Sequence, residues 1–376
     1  IHTYTGVAEL PWFRQIQTFG WECRSLGERS FTAGRRSLRF ASTSTSRQLR
    51  SSPVRGSSAM QAPLRPLAPR EEGDMMINPA ALDATAPRSA AGCELMDQGY
   101  TILRGAASPS LIGHVAGDLG PRYAATPFCE GGFYGERTKR FGRLLIRSPH
   151  MADLVMNPAI LNLAELALGN WCERIQLNLA QAIELHPGAL AQFPHRDQDM
   201  WQGALGDVEY LVNVMWPLTP FTEENGATLI WPRSHGVEAL VEEPKEAPVV
   251  ATAEPGDAIV FLGSTLHGAG ANRSAGVRRG IIVSYCLGWL KPYENQWLAY
   301  PPEIAEDFPS EVAALAGYAQ HRPNLGNFEG QCPSVLFGGY PEEPLAAIDA
   351  LRADQSALLA DHVADQRRRG EGALAA

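Results

Sequence analysis

Nowhere in this 376-residue chain do about 18 apolar residues follow one another, so the sequence offers no membrane-spanning helix. A surplus of positive charge is missing too. The 41 acidic side chains outnumber the 32 basic ones and leave a net charge of −9, which argues against a nucleic-acid surface. The six cysteines (Cys23, Cys93, Cys129, Cys172, Cys286 and Cys332) include no CxxC pair. That spacing excludes a disulfide framework and a cysteine-pair zinc site, and it points to reduced, mostly buried thiols in an intracellular protein. No internal repeat is visible.

Acid is nearly absent from one region. Between Arg24 and Arg70 the single carboxylate is Glu28, while arginine recurs and serine fills the gaps, as in Ser42-Thr43-Ser44-Thr45-Ser46. Arg-rich, Ser-rich and acid-poor is the composition of an organellar transit peptide. The chain begins at Ile1, and Met60, Met75 and Met76 are alternative starts, so an untranslated leader read in frame is the competing reading. Either way residues 1–74 are expected to be disordered and outside the fold. The protein is expected to be cytoplasmic, or mitochondrial if the segment is a transit peptide.

What is present begins near Ile77, and a single domain is expected over 75–365 with a flexible tail at 366–376. Glu94 to Gly99 and Ser108 to Leu119 read as short helices around a strand, Tyr100 to Arg104. Phe133 to Gly142 is a glycine-punctuated loop of basic and aromatic residues, expected to act as a lid that touches an anionic substrate or cosubstrate. Ser148 to Leu168 has helical apolar spacing. From Arg174 the period changes to that of strands: Arg174 to Glu184, Tyr210 to Leu218, Ala227 to Trp231, Ala258 to Leu262 and Arg279 to Cys286, separated by Gly, Pro and Asn turns. Such a run without intervening helices predicts a mainly β domain with flanking helices, most plausibly a jelly roll. Pro309–Tyr318 and Pro344–His362 read as helices.

The chemistry centres on His195-Arg196-Asp197. If the segment is extended, His195 and Asp197 point into one cavity and Arg196 away from it. A histidine returned by the fold would complete a 2-His-1-carboxylate set, which leaves coordination positions open and is used by non-haem Fe(II) oxygenases. His267 is the best candidate: it ends a buried strand and lies beside Gly268 and Gly270, which permit close approach. Arg278, at the start of the next strand, could clamp a dicarboxylate bidentately. Gln176 and Asn213, amides on otherwise apolar strands, suit a second carboxylate or simply satisfy backbone groups. Arg140 in the candidate lid, with Asp199 and Trp201 in step with the His-x-Asp pair, is expected to line the substrate entrance. His235 and His186 read as turn residues.

Together, His195-Arg196-Asp197, Asn225-Gly226-Ala227-Thr228 with Pro232-Arg233-Ser234-His235, and Gly256-Asp257 through His267 to Arg278 resemble the phytanoyl-CoA dioxygenase family over roughly residues 92–340. The resemblance implies a double-stranded β-helix (jelly roll, cupin-like). It also implies Fe(II) on His195, Asp197 and His267, 2-oxoglutarate as cosubstrate with its distal carboxylate on Arg278 rather than Arg273, and O2. The expected reaction is hydroxylation of a small-molecule metabolite with release of succinate and CO2. A metal-dependent cupin-like enzyme that does not use 2-oxoglutarate, and a catalytically silent jelly-roll binding protein, are the two rival readings.

Overall fold

The computed structural model describes residues 2–9, 22–25, 30–32, 35–44, 89–201, 206–241, 244 and 246–370. Its chain divides into two units, Ile1–Gly73 and Asp74–Ala376. The described part of the first unit is four strands, β1 (His2–Glu9), β2 (Glu22–Ser25), β3 (Ser30–Thr32) and β4 (Arg35–Ser44). The other three each pair antiparallel with β4. These strands fall within the segment whose composition reads as a leader, and the rest of residues 1–74 lies outside the described residues. Composition hid β-prone residues such as Thr3, Tyr4, Thr5 and Val7 in β1, and the Leu38/Phe40 alternation in β4.

In the second unit the strands form two sheets. The larger has the order β5-β11-β8-β13-β7-β6, with β5 Tyr100–Leu103, β6 Thr138–Phe141, β7 Ile175–Leu185, β8 Leu211–Pro217, β11 Ala258–Leu262 and β13 Arg278–Leu287. The smaller is β10-β9-β12, with β9 Thr228–Ile230, β10 Val249–Ala251 and β12 His267–Ala269. Neighbours pair antiparallel throughout, and from β10 to β13 successive strands alternate between the two sheets, as in a jelly roll.

Two apolar layers follow from the strand period. Leu179, Ile183, Met215, Ile259, Phe261 and Ile282 of the large sheet meet Phe221, Ala227, Ile230, Ala251 and Ala253 in the interior. The alternate residues, among them Leu177, Val212, Val214, Trp216, Val260, Ile281 and Val283, face outward under Leu119, Tyr123, Ile160, Leu163 and Leu168 of the covering helices. Those helices are Ala90–Gln98, Pro109–Ala125, Met151–Val155 and Pro158–Leu168. The last two replace the single helix expected over 148–168. Asn157 accepts from the amides of Ala159 and Ile160, and Pro158 fills the first helical position, so a new helix starts there.

The C-terminal helix runs over Ala353–Arg368 rather than from Pro344. Its start is set by Gln355, whose side-chain oxygen accepts from the Arg352 amide. Arg367 and Arg368 suit its negative end, which carries it into the expected tail. Residues 371–376 lie outside the described part. Cys93, Cys129, Cys172, Cys286 and Cys332 are free and of these only Cys286 is buried, so these thiols are less enclosed than expected. No described helix is long and apolar enough to cross a membrane.

Candidate metal centre

His267 opens β12, and His195 lies directly beside it. The two residues exchange backbone hydrogen bonds, His195 N to His267 O at 2.9 Å and His267 N to His195 O at 3.0 Å, which adds a rung to the small sheet. This pairing sets the imidazoles side by side, with ring centroids 4.5 Å apart. Each ring is then turned by its own backbone. His195 Nδ1 donates to Phe193 O at 2.9 Å, and His267 Nδ1 donates to Thr265 O at 3.0 Å. A carbonyl can only accept, so Nδ1 carries the proton in both and each Nε2 keeps its lone pair for a metal.

Asp197 faces both rings. Its Oδ1 lies 3.3 Å from His195 Nε2 and its Oδ2 3.6 Å from His267 Nε2. One donor atom from each of the three residues lies within 4.8 Å of the others. Burial opposes ionisation of Asp197, but the neighbouring imidazoles of His267 and His195 and the Arg140 guanidinium outweigh it and hold the carboxyl well below its usual range. Burial draws His267 down to about 4, against the pull of Asp197, so it is neutral near pH 7. Against its burial, Asp197 pulls the His195 pKa up and so favours a proton that a bound metal would displace; the two imidazoles and the carboxylate fit a divalent first-row metal. Phe261 packs against His267 at 4.5 Å from inside the barrel, and Phe133 meets His195 edge-on at 4.9 Å from outside.

Arg278 enters the same interior from the start of β13 and is 2% exposed. One guanidinium nitrogen donates to Gly226 O, and Nε has no hydrogen-bond partner among the described residues. Gly226 has a φ of +85°, and a Cβ there would stand 2.5 Å from Gly270 O, so the Asn-Gly turn requires glycine to bring that carbonyl close. Burial, with a smaller push from Arg140, lowers Arg278 to about 9; it remains a cation at neutral pH. Arg140, on β6, donates to Gln181 Oε1 at 3.2 Å and stacks over Tyr134 at 5.1 Å. Its charge acts on Asp197, His195 and Arg278. Among the described residues neither guanidinium has a carboxylate within ion-pair distance.

The remaining expected residues are placed differently. Gln176 donates to Leu287 O and Leu290 O, closing the turn after β13, and does not join the site. Asn213 does join it, but its Nδ2 donates to Asp197 Oδ2 at 3.0 Å, on the metal-facing carboxylate rather than at a carboxylate pocket. The extended segment stops at Asp197, which begins a 3-10 turn over Asp197–Met200. Alternation therefore ends there: Asp199 is exposed, and Trp201 is anchored by its indole N–H to Lys291 O at 2.9 Å. Arg196 turns away as expected, toward the carbonyls of Ser234 and Ala239. His235 bonds Met96 O and His186 bonds Glu184, both structural. The sequence reading missed Gln181 and Phe133. A bulge where Ser284 pairs with Leu179 and Tyr285 with Leu177 leaves Asn178 unmatched, so alternation counted from Gln176 assigns Gln181 to the wrong face.

The sequence model of the family described as phytanoyl-CoA dioxygenase (PhyH) matches residues 95–280. Over 267 residues the chain is 32% identical to the dioxygenase cdmD of Talaromyces verruculosus, a match that takes in 64% of this chain and 87% of that protein. It is 30% identical over 266 residues to the dioxygenase olcK of Penicillium canescens, covering 67% and 88% respectively. It is 27% identical over 260 residues to the multifunctional dioxygenase prhA of Penicillium brasilianum, covering 62% and 84%.

Proposed function

This chain belongs to the phytanoyl-CoA dioxygenase family, and from that premise we propose that His195, Asp197 and His267 hold Fe(II) while Arg278 and Arg140 hold the two carboxylates of 2-oxoglutarate. The protein is an Fe(II)/2-oxoglutarate-dependent dioxygenase acting on small molecules. Bound iron, with 2-oxoglutarate and O2, supplies an oxidant able to take hydrogen from a C–H bond and return hydroxyl, with succinate and CO2 as co-products. One observation carries the assignment of residues. Two imidazoles, one carboxylate, a buried guanidinium and a half-buried one, neither with an acidic partner among the described residues, meet in a single apolar barrel.

The charge pattern orients the cosubstrate. Arg140 acts electrostatically on Asp197 and His195, whereas the charge that Arg278 feels comes from Arg140 and Tyr123. Arg140 therefore suits the carboxylate at the metal end, and Arg278 the distal one, held bidentately by a planar fork. That reading moves Arg140 from substrate to cosubstrate. The dry wall of Leu179, Ile183, Met215, Phe261 and Ile282 excludes water from the reacting atoms.

Substrate reaches the metal from the side roofed by Phe133. Around it Leu190, Phe193 and Met200 are also exposed, an apolar rim on the two segments that flank His195. The basic residues of the same loop are turned elsewhere: Arg137 donates to Pro187 O, and Lys139 donates to Tyr123 O and faces Glu184. A neutral, bulky, largely apolar metabolite fits this rim better than an acyl-CoA, whose phosphates would call for a cation cluster.

Anaerobic titration with Fe(II) and then 2-oxoglutarate, followed by succinate release in air, tests the proposal. Wild type should bind both and release succinate only with Fe(II), and His267→Ala should do neither. Binding of metal without 2-oxoglutarate would favour the cupin-like reading instead. Neutral polycyclic compounds should stimulate succinate release above the substrate-free rate, and stimulation by acyl-CoA alone would overturn the substrate assignment.

A further inference from the structure

Asn213 is a polar side chain in the middle of an apolar strand. It is 1% exposed, at the centre of β8, and is paired with Ser284 on one side and Phe261 on the other. Its neighbours Val212 and Val214 face the outer layer, so Asn213 points into the barrel among Leu179, Met215, Ile259 and Phe261. An amide in such a wall is unfavourable by a few kcal/mol unless it is hydrogen-bonded. Among the described residues the amide makes one hydrogen bond, Nδ2 to Asp197 Oδ2 at 3.0 Å, and Oδ1 has no partner. Since a carboxylate only accepts, the amide orientation is settled: NH2 toward Asp197, oxygen away.

We infer that Asn213 is a positioning residue that fixes how Asp197 presents itself to the metal. Its N–H engages Oδ2 and leaves Oδ1, the oxygen 3.3 Å from His195 Nε2, as the one offered for coordination. A carboxylate tied in this way binds through one oxygen, so the remaining face stays open for a bidentate cosubstrate and O2. The bond also draws charge from the carboxylate and stops it from rotating. A purely structural role reads differently. If Asn213 served only the fold, losing it would lower stability and leave metal affinity and the metal spectrum alone, whereas a positioning role moves both.

The inference rests on the proposed iron site, and the test separates the two. Asn213→Leu is close to isosteric and removes both polar atoms; Asn213→Ser shortens the side chain and is read in the same titration if the leucine variant does not fold. Co(II) affinity is measured together with the visible spectrum of the Co(II) protein before and after 2-oxoglutarate, and with the denaturant midpoint. The expected result is metal affinity about 10–100-fold weaker, the range for loss of a partner behind a metal ligand. The Co(II) bands and their response to 2-oxoglutarate should change, and the denaturant midpoint shows that the affinity is read on folded protein. Affinity within twofold of wild type and an unchanged spectrum, in whichever variant folds, would overturn the inference while leaving the metal site standing. Failure of the wild type to bind Co(II) would instead overturn the site and this inference with it.

Discussion

Arg278 shows how much a single buried cation can decide. The guanidinium has one carbonyl for a partner, an orphaned Nε and no acid within ion-pair distance among the described residues, so its charge awaits an anion. Removing one partner of a buried charge pair weakens binding by about 2–5 kcal/mol, on the order of 30-fold or more. Arg278→Ala should therefore raise the Kd for 2-oxoglutarate by at least that factor and leave metal affinity near wild type, as isothermal titration would read. Arg278→Lys should recover little, because an ammonium cannot reproduce the fork. Equal affinity in the alanine variant would place the distal carboxylate elsewhere. At this scale the sequence was legible where chemistry restricts residue type: donor atoms of His195, Asp197 and His267 stand together, and Arg278 is buried at the start of β13. It was not legible for the amides. Gln176 and Asn213 look alike in sequence, yet one closes a turn and the other holds a carboxylate, and only three-dimensional neighbours distinguish them.

Elements position those side chains, and two joints carry most of the work. The turn before β12 is pinned by Glu209, which accepts from Ser264 N at 2.9 Å and from its hydroxyl at 2.6 Å. Desolvation raises this carboxyl to about 7, against the hydrogen bonds from Ser264. A raised acid favours the fold while protonated. Its contribution is complete below about pH 4.5, the unfolded value, and is lost as pH climbs through the folded value near 7. Tm should accordingly fall across that window, and Glu209→Gln should flatten the fall; an unchanged slope would remove Glu209 as its cause. The second joint is the pairing of β13 with β8, where Gly280 lies opposite Pro217. A Cβ on Gly280 would stand 2.7 Å from Phe221 Cζ and 3.2 Å from the Met215 sulfur. Gly280→Ala should destabilise by about 1–3 kcal/mol in urea melts, the usual range for overpacking. Strand existence was readable from alternation and turn residues. The bulge at Asn178 and the tight turn after Asp197 were not, because both interrupt a period without any residue that announces it.

Taken whole, the unit Asp74–Ala376 is a jelly roll whose interior is apolar except at one end. There the His195–His267 rung, Asp197, Asn213, Arg140 and Arg278 come together. The mainly β class and the family resemblance were present in the sequence because period-2 alternation and the His-x-Asp, Asn-Gly and His–Arg spacings survive as local patterns. The strands within Ile1–Gly73 rest on short alternating runs that composition averages over. The most direct test of the account is anaerobic binding of 2-oxoglutarate to the Fe(II)-loaded protein, followed by visible absorption. The arrangement of two imidazoles, one carboxylate and two unpaired guanidinium groups predicts a charge-transfer band that saturates at one 2-oxoglutarate per chain and is absent in His267→Ala. Loss of iron binding or of that band in the wild-type protein would contradict it.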